Sequence, residues 1–165
     1  MSILHTVSWY ERHHRRHPDL ALWPIATAVT PRDVLMAGES MAACAQAVGT
    51  PCTRVGRRPA SRNRADHARQ FCAVVVTTVE TVWTATDGGA REVWVDAELD
   101  GCEPLAYTMR LIGRASRCGG ELFTVRPSRR HGELRAWLPN DLHSGDLVAF
   151  VVDDPVSIHD IRRRR

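Results

Sequence analysis

Hydrophobic and polar positions along the chain fall into two textures that meet near residue 70. Before it, apolar residues recur at helical spacing, and after it they alternate or run in β-branched blocks. Ser8 with Glu11 forms a capping-box pattern for a short helix that Pro18 ends near His17. An extended stretch from Trp23 to Val29 follows. Thr30-Pro31 then reads as a cap and first-turn proline opening a second helical segment. Val34, Met41, Cys44 and Val48 share one stripe of that segment. Gly38 divides it, so the main helix is expected over Glu39 to Val48, stopped by Gly49 and Pro51. Being apolar on most sides, this helix is expected to be buried. Residues 54–70, rich in Arg, read as a loop or an exposed helix start.

From Phe71 the run FCAVVVTTVETVWTAT predicts a long strand that breaks at Asp87-Gly88-Gly89, a hairpin signal. Arg91 to Leu99 alternates, with Val93, Val95, Ala97 and Leu99 on one face and Glu92, Trp94, Asp96 and Glu98 on the other. Leu105 to Ala115, Glu121 to Val125, Glu133 to Leu138 and Asp146 to Val152 supply further strands. The expectation is one α+β domain over residues 1–165: a meander-like antiparallel sheet or half-barrel of about six strands curled around the Glu39–Val48 helix. Residues 1–22 would form a helical arm, and Arg162 to Arg165 a peripheral basic tail.

Composition removes several chemistries. All 22 basic residues are Arg, so a Schiff base, a Walker-A lysine and a lysine general base are excluded. GC-rich coding bias is the expected source of that preference, ahead of selection for the planar guanidinium. Residues 1–72 carry 10 Arg against 5 acids, and residues 73–161 carry 8 against 14. With the four-Arg tail the net charge is +3, which is not the footprint of a dedicated nucleic-acid binder. The 5 Cys stand singly without a C-x-x-C. With no leader pattern ahead of them, they predict a reduced, cytoplasmic protein. No apolar run is long enough to span a bilayer. His13 and His17 share a helical spacing, but Arg15 and Arg16 between them would repel a cation, so no metal is expected. No cofactor is expected either.

The stretches ESMAACAQAVG, DHARQF and VWVDAELDGCEPLAYTMRLIGRA resemble the hot-dog family of acyl-thioester dehydratases and thioesterases over about half the chain. The resemblance implies an apolar or acyl-thioester ligand, a phosphopantetheine-bearing carrier and a homodimer. It also implies lyase or hydrolase chemistry (dehydratase, thioesterase or cyclase) in a pocket between helix and sheet. Two departures stand out: no complete catalytic signature, and extra strands over residues 121–161. Glu39, at the start of the buried helix, and His67, beside Asp66, are the candidate acid–base pair. Burial beside Met and Ala would raise the Glu39 pKa toward the useful range. Gln46 is a candidate donor to a carbonyl oxygen, and Arg64 and Arg69 can clamp phosphate. Trp83 and Trp94 can line an apolar pocket from one sheet face. A second resemblance, of RAWLPNDLHSGDLVAFVVDD to AbrB-type swapped-hairpin barrels, implies a DNA-binding regulator as the alternative. In that reading the Arg54–Arg69 loop and the tail meet phosphates, although no aromatic residues interleave with that loop.

Overall fold

The structure, a computed structural model, describes residues 20–59, 70–84, 91–127 and 134–161. The helix expected over residues 8–17, the turn at residues 87–89 and the tail at residues 162–165 lie outside them. In chain order the strands are β1 (Thr27–Val29), β2 (Val34–Met36), β3 (Glu39–Ser40), β4 (Cys52–Arg57) and β5 (Phe71–Thr84). They continue as β6 (Arg91–Val95), β7 (Arg110–Ile112), β8 (Gly120–Arg126), β9 (Arg135–Pro139) and β10 (Leu147–Val152). Among the described residues there are also two short helices, α1 (Met41–Val48) and α2 (Ile158–Ile161), and three 3-10 turns. The protein is α+β and mostly antiparallel sheet.

Strand β5 organises the fold. Along one edge it pairs with β10, and along the other first with β4 and then with β6. The strand order β7-β10-β5-β6-β8-β9 curls into a nearly closed, barrel-like sheet. Where β4 and β6 part company, the edge of β5 would be left with an unpaired donor. Asp96 fills the gap: its carboxylate accepts from the Thr78 N–H at 2.9 Å and from the Thr50 hydroxyl at 2.6 Å. The Asp96 N–H in turn donates to the Thr78 carbonyl. A partly buried ladder position is thus satisfied by a side chain.

Two apolar cores lie on opposite faces of β5 and β10. Ala73, Val75 and Val79 point into the barrel with Val93, Val95, Phe123, Val125, Leu138, Val148 and Phe150. Cys72, Val74 and Val76 face the other way, with Ala149 and Val151, under Met41, Ala42 and Ala45 of α1 and under Trp23, Val34 and Met36. A strand buried on both faces has no need of alternation, which is why its sequence reads as a continuous β-branched block. The helix covers one face, while the larger core is filled from strands, turns and Ile161; a sheet wrapped around the helix is not confirmed.

Three expectations are corrected. Thr30-Pro31 opens a hairpin turn, not a helix: the Thr30 hydroxyl accepts from the Asp33 N–H at 2.8 Å, and Val29 pairs with Val34. Cap-like residues serve turns equally well, and pairing with β1 decides the case. Residues 54–57 belong to β4, which runs against β5 over six residue pairs. Its basic composition reflects its exposed Arg54 and Arg57, and Gly56 lets it pass close under Pro24, where a Cβ would come within 2.6 Å. The late strands are not a plain meander. β6 pairs with β8 in parallel, while β10 lies between β5 and β7.

Candidate functional site

Glu39 lies in β3, just ahead of α1, with a side chain 63% exposed and ion-paired to Arg54. It is not set among the apolar neighbours that its proposed acid–base role invokes. The helix is capped by others. Ser40 accepts from the Ala43 N–H at 2.9 Å and donates to Asp33, which also accepts from the Ala42 N–H at 3.1 Å. Gln46 is exposed, and Cys44 is half-buried on the helix. His67, Arg64 and Arg69 lie outside the described residues.

Trp83 and Trp94 do share a sheet face, and a bulge puts them there. Up to Val79 the odd-numbered residues of β5 point into the barrel. The register then slips between Val79 and Thr81, so that Val82 pairs with Val93 inward and Trp83 pairs with Glu92 outward. One extra residue therefore re-aims every side chain after it. Trp94 pairs with Thr81 and, across β6 and β8, with Arg126. The result is an outward patch with Trp83 53% exposed and Trp94 37% exposed. Glu92 and Arg126 are joined beside them at 3.2 Å. Both indoles stand on the barrel exterior.

Two arginines bracket β7, and their surroundings differ completely. Arg114 donates to both carboxylate oxygens of Asp146 at 2.7 and 2.6 Å, to Asp141 Oδ2 at 3.1 Å and to the Asp141 carbonyl at 2.8 Å. Asp146, its side chain 4% exposed, follows Gly145, whose φ of 90° makes the turn into β10. Asp146 also accepts from the His143 N–H, while Ser116 donates to Asp141 at 2.6 Å. The Ser116 hydroxyl and the guanidinium hold the Asp141 carboxyl below its ordinary value. Hydrogen bonding to Asp146 raises the Arg114 guanidinium. These groups satisfy one another, so the cluster acts as a clip between the residues after β7 and the turn before β10.

Arg110 lies on the α1 side of the sheet: Ile112, two residues on, and Ala149, its register partner, both belong to that core. Its guanidinium is half-buried, and Nε is buried without a hydrogen-bond partner. Among the described residues nothing pairs with it, and burial alone pulls its pKa down. A partly desolvated cation with no counter-charge among the described residues is costly, so it calls for an explanation. Among the described residues, no group of three or more His, Cys, Asp or Glu side chains is placed to hold a metal.

No family model matches the chain, and a search of curated proteins finds no match. The site has to be read from its own chemistry. Sequence reasoning placed Trp83 and Trp94 correctly on one face but passed over Arg110. Its only signal was a charge at a position of β7 that the alternation assigns to the same face as Ile112.

Proposed function

We propose that this protein is a ligand-binding module for a small molecule that carries an oxyanion on an apolar body, with the carboxylate or phosphate held by Arg110. The observation that carries this reading is the half-buried guanidinium of Arg110, which has no partner among the described residues. A guanidinium presents a planar set of donors that matches a carboxylate or phosphate with two parallel hydrogen bonds. Binding such an anion would offset the desolvation cost that the free protein carries. Leu105 and Leu147, partly buried against the core that holds Ile112 and Ala149, can supply apolar contact for the rest of the ligand. An acyl chain borne on a phosphopantetheine-type arm has both parts, as does a free fatty acid. The exposed, ion-paired Glu39 gives no support to acid–base catalysis as the main role.

Thermal unfolding and calorimetry with octanoate and with inorganic phosphate test the proposal. Either probe should raise the melting temperature of the wild-type protein, since a ligand that binds only the folded state stabilises it by mass action. Arg110→Met should abolish the shift, and Arg110→Lys should retain part of it. Octanoate acting alone would identify a carboxylate ligand, and phosphate acting alone a phosphorylated one. No shift with either probe, or an equal shift in Arg110→Met, would overturn the reading.

A further inference from the structure

The outward patch built on Trp83 and Trp94 has no role in binding at Arg110, and its composition is that of an interface. Tryptophan and arginine are the residues that most often dominate binding energy when they are buried between proteins. Here both indoles are presented by rigid strands, one on β5 and one on β6, with Arg126 on β8 beside them. A lone exposed Trp is ordinary, but here the bulge in β5 turns Trp83 to the outer face that Trp94 of β6 already occupies, so two large apolar side chains share one exposed face. The charges within the patch point to what covers it. Glu92 and Arg126 are the ion pair at its centre, one negative and one positive, both partly exposed. A patch whose charge is balanced within itself offers little net attraction to a polyanion. It is, however, complementary to its own copy. A two-fold axis lying in the interface and passing between the two groups sets Arg126 of one protomer opposite Glu92 of the other, and the reverse. The indoles then close over the paired charges and exclude water from them.

We propose that the Trp83–Trp94 face docks a second copy of this chain in an isologous dimer, with Glu92 and Arg126 paired across the two-fold axis. Sedimentation of the full chain over a concentration series tests it. The wild type should show a monomer–dimer equilibrium. Trp83→Ala and Trp94→Ala should each raise the dissociation constant by about thirtyfold or more, the ordinary effect of truncating a dominant interface residue. Both side chains lie on the exterior, and thermal melts of the variants separate lost association from lost folding. The charge test is sharper. Arg126→Glu alone and Glu92→Arg alone should each be monomeric, because each sets like charges across the axis. An equimolar mixture of these two variants should associate again, and the double variant E92R/R126E should dimerise by itself. A wild type that stays monomeric at its highest soluble concentration would overturn the proposal. A dimer that survives both tryptophan substitutions would also overturn it, as would a mixture that fails to associate.

Discussion

Arg110 opens β7 and Arg114 follows its last residue by two, yet Arg114 is saturated while Arg110 has no partner among the described residues. Arg114 gives four hydrogen bonds to Asp146 and Asp141, whereas Arg110 is flanked by Ile112 and Ala149. The contrast separates two uses of a partly buried charge: one ties strands together, and the other waits for a ligand. It can be broken first at Arg114. Arg114→Ala leaves the Asp146 carboxylate buried without its counter-ion, and removing one member of such a pair costs about 3–5 kcal/mol. Urea unfolding should show a drop of that size. A loss under about 1 kcal/mol would mean that the clip is not structural.

A carboxylate satisfied by neutral donors is the next comparison. Asp96 holds the Thr78 N–H and the Thr50 hydroxyl where β4 gives way to β6. Asp96→Ala orphans the Thr78 N–H, while the Thr50 hydroxyl keeps the Thr78 hydroxyl at 2.6 Å, with an expected cost of about 1–3 kcal/mol. That is less than the cost at Arg114, because no charge is stranded. An equal or larger loss would place the main anchor of the sheet at this junction and not at β7.

Acid titration sharpens the same contrast by a smaller step. Asp141 has its carboxyl lowered from the ordinary 3.8 by Ser116 and Arg114. A carboxyl lowered on folding contributes stability in full above its unfolded value, and that contribution fades as pH falls through the lower folded value. The wild-type protein should therefore lose stability on acidification below about pH 4, with Asp160 contributing in the same window through its bonds from Ser157. Asp141→Asn should be less stable than wild type at neutral pH, and the gap should close as the pH is lowered. A constant gap would show that the effect of Asp141 does not depend on its charge.

Much of the frame was legible in the sequence, because β-branched runs and tight-turn residues are local signals. The boundaries expected for the strands from Phe71 onward fall close to those of β5, β8, β9 and β10, the strand expected over Arg91–Leu99 ends four residues early at Val95, and Glu39–Val48 anticipates α1 within two residues. What stayed hidden depends on partners far away in the chain. β2 and β4 are strands because β1 and β5 pair with them, and their own residues read as helix or loop. The stretch from Leu105 to Ala115 was read as one strand, but a 3-10 turn over Ala106–Thr108 shortens it to Arg110–Ile112. The bulge after Val79 leaves no local mark, although it alone turns Trp83 outward. A guanidinium, too, carries no sign in the sequence of whether a carboxylate will meet it. Arg110 and Arg114 look alike until β10 is brought alongside β7 and the turn before it supplies Asp146 to only one of them.

The smallest change, and one of opposite sign, is expected at Arg110. Its charge is costly in the free protein, so Arg110→Met, which keeps the length and apolar character of the stem, should leave stability unchanged or raise it by about 1 kcal/mol. Set against the loss expected for Arg114→Ala, this would give two arginines on one short strand segment with effects of opposite sign. Native proteins tolerate a locally unfavourable group chiefly where function requires it. The informative measurement is therefore paired: unfolding free energy and ligand-induced stabilisation on the same Arg110→Met protein. Unchanged or raised stability together with a lost ligand response is the expected pair. A clear loss of stability would show that Arg110 is held by a partner in the folded protein, and the distinction between the two ends of β7 would disappear.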